Sequence, residues 1–213
     1  VKILAADTAL GACSIAMLDG EKILAHRFVL MDRGHAEALA PMADETMREA
    51  GIAFAALDRL AVTTGPGTFT GQRVGLAFMR GLRVALKKPL TGITTLAAMA
   101  AQAKEETKLT RALAIHDAKR GEFYVESIPG NGPAILHRDQ VFAHFAEFAK
   151  EPFALAGTAA PATAQAIKNA TLSSVRQPDA LYVAKLALAM PQNDDAPRPL
   201  YLRAPDAKLP AAR

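Results

Sequence analysis

Apolar and polar positions along this chain alternate with two different periods. Residues 2–5 form a short apolar run and 13–18, Cys-Ser-Ile-Ala-Met-Leu, another. Between them Asp7-Thr8-Ala9-Leu10-Gly11 reads as a hairpin connection, with Gly11 free to take φ > 0. Asp19-Gly20 signals a second turn before the strand-like stretch 22–30, so three antiparallel strands are predicted to open the protein. From His35 to Ala50 the period becomes helical, with Leu39, Met42, Thr46 and Met47 on one stripe and Gly51 as the stop. Pro41 lies inside that stretch and predicts a kink or a late start. Residues 59–64 read as a buried strand, 71–86 as a helix, 90–93 as a strand and 95–105 as a helix.

A repeat emerges when the loop after residue 6 is laid on the loop after residue 116. Asp7-Thr8-Ala9-Leu10-Gly11-Ala12-Cys13 then matches Asp117-Ala118-Lys119-Arg120-Gly121-Glu122-Phe123, each preceded by an apolar run and followed by an alternating one. Turns of the form Asp-x-x-x-Gly are common, and the match gains weight from its place at a fresh strand start halfway along the chain. The expected organisation is an N-terminal lobe over 1–108, a smaller second lobe over 109–190, and a proline-rich tail over 191–213 that packs back. Within the second lobe, 138–149, 160–169 and 179–189 read as helices and 153–156 as a strand.

Composition narrows the class. The chain has 213 residues, 51% hydrophobic against 22% charged, which suits a folded domain rather than a disordered or fibrous one. Its one cysteine, Cys13, excludes an intramolecular disulfide and fits a reducing compartment. Asp7 interrupts any signal-peptide core, and no apolar run reaches the ~18 residues of a membrane span, so a cytoplasmic location without membrane contact is expected. A net charge of +4 and a pI of 9.3 permit a polyanionic partner, but the basic residues read as scattered rather than clustered.

The segment Thr63-Thr64-Gly65-Pro66-Gly67-Thr68-Phe69-Thr70-Gly71-Gln72-Arg73-Val74-Gly75 carries the most chemistry. A strand running through Gly-Pro-Gly into a helix start brings unpaired N–H groups and a helix dipole to one point, which suits an anion. The other reading is that these glycines only allow tight turns and close packing. Together with Asp7-Thr8, His35-Ala36-Glu37, Lys88-Pro89-Leu90-Thr91-Gly92-Ile93, Asp117-Ala118-Lys119-Arg120-Gly121-Glu122 and Tyr201-Leu202-Arg203, the segment resembles the TsaB (YeaZ) family over nearly the whole chain.

That resemblance implies an α/β fold of the actin-like ATPase, sugar kinase and Hsp70 superfamily, two lobes of mixed sheet flanked by helices. It implies a part in forming N6-threonylcarbamoyladenosine at position 37 of tRNAs that read ANN codons. The chain would be a noncatalytic scaffold for a TsaD-type catalytic subunit, working with a TsaE-type ATPase, meeting tRNA through the complex, and forming a homodimer when alone. No cofactor would be held by this chain alone, with ATP or ADP at the partner interface. In the wider superfamily the acid on the first hairpin holds a metal-bound phosphate, which would make Asp7, Thr8, Gly65, Gly67 and Thr68 a nucleotide or phosphate loop. Asp7 also reads as a structural Asx turn that caps backbone N–H groups.

TsaD proteins, which look like this chain through Gly65-Pro66-Gly67 and Lys88-Pro89-Leu90, carry a His-x-x-x-His metal pair at the positions of Thr95 and Met99. A hydroxyl and a thioether do not replace two imidazoles, so neither a metal site nor catalysis is expected here. His116 and Asp117 alternate to opposite faces of a strand, Cys13 reads as core, and Ser14 lacks a nucleophile context. The expected partner interface is His35 with Leu39, Met42 and Met47 of the first helix and Val74, Phe78, Met79 and Leu82 of the second. The competing functions are a nucleotide- or metal-dependent transferase or kinase of the same superfamily, and a protease acting on the partner.

Overall fold

In a computed structural model of the chain, which describes residues 1–192 and 195–203, the two periods build two five-stranded mixed sheets flanked by helices. The first sheet contains β1 (Lys2–Asp7), β2 (Ala12–Asp19), β3 (Lys22–Leu30), β4 (Arg59–Gly65) and β5 (Leu90–Thr94), in the order β3-β2-β1-β4-β5. The second contains β6 (Ala112–Asp117), β7 (Glu122–Ile128), β8 (Ala134–His137), β9 (Phe153–Ala156) and β10 (Ala170–Leu172), in the order β8-β7-β6-β9-β10. In each, the first three strands pair antiparallel and the last two join in parallel. The repeated hairpin read from the sequence is therefore a repeat of the whole sheet.

Helices fill the same places in both repeats, at different lengths. The first has α1 (His35–Ala50), α2 (Phe69–Leu86) and α3 (Thr95–Thr107), and the second α4 (Val141–His144), α5 (Ala160–Ala164) and α6 (Ala180–Ala189). Alternation along β1 and β2 explains the layers. Leu4, Ala6, Cys13, Ile15 and Met17 face α1 and α2, while Ile3, Ala5, Ala16 and Leu18 face α6. The third helices cross over: α3 lies on β6, β7 and β9, and α6 lies on β1, β2 and β4. Both helices are alanine-rich, and they pack against each other.

Local chemistry accounts for the helix ends. Thr68 and Thr94 cap α2 and α3 by accepting from the N–H groups of Gly71 and Ala97, and Asp179 caps α6 through Leu181. Gly51 ends α1 in the left-handed region. Three expectations are corrected. The first helix does not start late but begins at His35 with Pro41 inside it, where the carbonyl of Glu37 that Pro41 cannot pair lies on the exposed side. The stretch 138–149 is not one helix but α4 between two 3-10 turns. Phe142, Phe145 and Phe148 recur every three residues, the 3-10 period, and Phe145, Phe148 and Phe153 form an edge-to-face series. The stretch 160–169 stops at Ala164, since Asn169 takes a positive φ, donates to the carbonyls of Ala149 and Lys150, and turns the chain into β10. Residues 193, 194 and 204–213 of the expected tail lie outside the described residues.

Candidate functional site

The loop 8–11 and the start of α2 meet at the C-terminal ends of β1 and β4, where the sequence suggested an anion cradle. The structure brings Asp7, Thr8, Gly65, Gly67 and Thr68 together, and fills the space between them with protein. The hydroxyl of Thr8 donates to the Gly71 carbonyl at 2.7 Å, and the N–H of Thr68 donates to the Ala9 carbonyl at 2.8 Å. A Cβ on Gly67 or Gly71 would overlap the backbone oxygens of Ala9 or Thr8, and one on Gly75 would stand 2.7 Å from the Thr8 hydroxyl. These glycines serve close packing. The N–H groups of Gly71 and Gln72 are spent on Thr68 itself. Those two N–H groups are therefore not open to a phosphate.

Asp7 is fully buried in this junction. Its Oδ1 accepts from the Thr63 hydroxyl at 2.6 Å and from the Ala9 N–H at 3.2 Å, while Oδ2 has no partner. Burial pushes its pKa up to about 7 against the pull of those two hydrogen bonds, and the charge of Asp179 adds to the rise. Asp179 is a second acid near Asp7 that sequence reading missed, because α6 brings it from the other half. It is occupied as the α6 cap and by His26 Nε2 at 2.7 Å. Ser14 is buried, accepting from the Ala180 N–H, and burial pushes the Cys13 thiol up to about 11. Neither is poised as a nucleophile. Thr95 and Met99 are buried on α3. Among the described residues no three His, Cys, Asp or Glu side chains gather in a way that could hold a metal ion.

The expected interface residues divide. Leu39, Met42, Met47 and Met79 are not surface residues: they are buried against the first sheet, because their stripe is the apolar side that β1, β2 and β4 attract. His35 Nε2 donates to the Leu10 carbonyl at 3.0 Å and is half-buried. Val74, Phe78 and Leu82 are half-buried beside the same core. What α2 presents outward is a seam through Thr70, the half-buried Val74, Ala77, Gly81 and Val84, spaced 4, 3, 4 and 3, of which the sequence pointed to Val74 alone as an interface residue. That is the spacing of one helix packing along another, and it was legible as a sector free of charge. Val84 is 73% exposed, and a Cβ on Gly81 would meet nothing within 4 Å. Glycine in a helix interior costs about 1 kcal/mol, and nothing within this chain requires it at position 81.

Charge also gathers where the sequence scatters it. Arg80, Arg83 and Arg198 line a cavity of about 600 Å³, and Arg83, Lys87 and Lys88 an adjoining one of about 350 Å³. The fold assembles them by laying residues 195–203 across α2, with the Leu200 N–H donating to the Thr64 carbonyl.

Residues 29–210 match the TsaD family model, described as tRNA N6-adenosine threonylcarbamoyltransferase. The chain is 35% identical over 143 residues to the tRNA threonylcarbamoyladenosine biosynthesis protein TsaB of Escherichia coli K12, a match covering 67% of this chain and 62% of that protein. It therefore spans about three-fifths of that relative. A crystal structure of a Pseudomonas aeruginosa protein described as similar to peptidase YeaZ superimposes with a TM-score of 0.83 at 29% identity, over 95% of this chain and 99% of that one. The chain belongs to the TsaB/YeaZ family. Component A of the Acidaminococcus fermentans (R)-2-hydroxyglutaryl-CoA dehydratase, at a TM-score of 0.53 and 10% identity over 89% of this chain and 98% of that one, shares the fold alone. That fold is the actin-like ATPase fold expected from the TsaB resemblance. No helix among the described residues is long and apolar enough to cross a membrane.

Proposed function

We propose that this chain is a noncatalytic scaffold in the formation of N6-threonylcarbamoyladenosine on tRNA, and that it holds a TsaD-type catalytic subunit on the exposed seam of α2. The observation that carries the reading is Gly81, a glycine midway along an exposed helix whose smallness serves no contact in its own chain and sits between Ala77 and Val84 at the spacing of a helix–helix joint. Membership of the TsaB family supports the pathway. The closed loop at Asp7 and the buried Cys13 and Ser14 support a structural rather than a chemical role, and weigh against the kinase and protease readings. In the absence of the catalytic subunit the same seam would take a second copy of this chain.

Val84→Glu tests the reading. At 73% exposure the substitution leaves the monomer folded, whereas a carboxylate at Met79, Phe78 or Leu82 would disturb the chain's own core. The carboxylate would stand among Arg80, Arg83 and Lys88, which partly offset the cost of drawing it into a helix–helix joint, so association should weaken about tenfold. Size-exclusion chromatography of the mixture and tRNA modification by the reconstituted proteins are the measurements. Undiminished association would sink the seam, and modification of tRNA by this chain alone would sink the scaffold.

A further inference from the structure

Arg73 and Arg80 lie seven residues apart on α2 and so on one line, about 10.5 Å apart at 1.5 Å per residue, along the flank of the seam, and Lys87 follows as the left-handed cap at the helix end. Arg83 and Lys88 stand beside this row, and the returning segment 195–203 adds Arg198. The two cavities share Arg83 and Val84 and make one trough, lined by five cationic side chains and one acid, Asp195. The returning segment also fixes the guanidinium groups. Arg80 donates to the Pro197 carbonyl through Nε at 3.1 Å and Nη2 at 2.6 Å. Arg73 donates to the Tyr201 hydroxyl at 2.9 Å and lies 3.5 Å over the Phe69 ring. Tyr201 and Phe69 stack at 5.8 Å and 27°, and both stay open to solvent, at 45% and 57% exposure.

We infer that this trough is an RNA-binding track, with phosphates running along Arg80, Arg83, Lys87, Lys88 and Arg198 and an unstacked base resting on the Phe69–Tyr201 platform. The inference rests on the tRNA reading above and adds to it a direct contact made by this subunit. Two features select a nucleic acid over an acidic protein surface. Cations strung along α2 from Arg73 and past its C-terminal end suit a strand with repeated charge. Two exposed aromatic rings with an arginine across one of them suit a base, and have no counterpart to meet in a row of carboxylates. Single-stranded RNA is the form that fits, since a base inside a duplex presents no open face.

The test uses the full chain, alone and in complex with a TsaD-type subunit, and two labelled probes: an unmodified tRNA transcript and a short poly(U) strand. Anisotropy titrations are run over a series of KCl concentrations. The triple variant Arg83→Gln, Lys87→Gln, Lys88→Gln should bind both probes at least tenfold more weakly. Its plot of log affinity against log salt should be shallower by about 2, at roughly 0.7 for each single-strand phosphate that the variant no longer neutralises. The pair Phe69→Ala, Tyr201→Ala should weaken binding about tenfold and leave that slope unchanged. Circular dichroism and size-exclusion elution, alone and with the partner, should match the unsubstituted protein for both variants. Unchanged affinity and slope in the triple variant would overturn the track, as would a failure of the unsubstituted chain and complex to bind either probe. Loss of the partner with RNA binding intact would also overturn it, and would make the row a rim for an acidic protein surface. If the track holds both probes as described but the complex leaves tRNA unmodified, the pathway reading falls and the RNA track stands.

Discussion

Asp7 and Asp117 end the first strands of the two sheets, each followed by a four-residue hairpin loop, yet their acidities move in opposite directions. Asp7 is sealed under the start of the 18-residue α2 and the cap of α6, and burial raises it to about 7. Asp117 is held below the usual carboxylate range by the backbone N–H of Lys119, with little burial to oppose it. The cause lies in the outer helices. Where the first half has helices of 16 and 18 residues, the second has helices of 4 and 5. The short pair leaves the end of β6 facing a cavity of about 430 Å³ lined by Asp117, Phe123, Arg138, Phe142, Thr158 and Thr163. One strand plan thus supports a closed half that can offer a rigid helix to a partner and an open half that cannot. An identical starting residue takes the chemistry of whatever is laid over it.

The largest expected effects test what the halves share. Gly65 ends β4 and Gly157 follows β9, at φ of 111° and 107°, a conformation that disfavours any residue with a Cβ. A Cβ on Gly157 would overlap the Ile115 carbonyl, as one on Gly71 would overlap that of Thr8. Gly157→Ala and Gly71→Ala should each lower stability by about 3 kcal/mol or more in urea unfolding. A loss confined to Gly71→Ala would mean that the second half tolerates its turn being rebuilt.

The next prediction tests where the halves part. The folded chain holds a proton on Asp7 that the unfolded chain releases above its ordinary value of 3.8, so the folded form binds the extra proton between pH 4 and about 7. Asp7 therefore costs nothing in acid, and stability falls as pH rises through that window and levels above it. Each pH unit is worth about 1.4 kcal/mol, or roughly 4 kcal/mol across the window. Asp7→Asn keeps an acceptor for Thr63 and Ala9 and should remove this slope, so its advantage in Tm grows from pH 4 to 7. At Asp117 the sign reverses: the stabilisation is present above pH 4 and lost as pH falls below it. That position is solvated, so Asp117→Asn should cost only a few tenths of a kcal/mol. Parallel pH profiles for the two variants would break the comparison.

The smallest effect sharpens the difference between a glycine that packs and one that waits. Gly81→Ala meets no atom within 4 Å and should raise the stability of the isolated chain by about 1 kcal/mol, while weakening association with the TsaD-type subunit by bringing a methyl group into the joint. Stabilisation with unchanged association would assign that glycine no role in docking.

Much of the fold was written locally. The strand alternation, the hairpin at Asp7 and its repeat at Asp117, and the runs that became α1, α2, α3 and α6 follow from period, caps and turn residues, because those signals act within a few positions of one another. The segments 138–149 and 160–169 were misread for the same reason. Their apolar spacing suits a helix in isolation, and the aromatic packing around Phe153 and the edge pairing of β10 with β9 redirected it. Only the tertiary structure decided which side of each amphipathic helix was the surface. Leu39, Met42, Met47 and Met79 form as good a stripe for a partner as for a sheet, and their own sheet lies nearer. It alone brought Asp179 to Asp7, Arg198 to Arg80 and Tyr201 to Phe69, pairs more than a hundred residues apart. Pattern fixes what a segment can become, but convergence of distant side chains depends on how the sheets and the returning chain are stacked, and that is where the acidity of Asp7 and the basic trough arise.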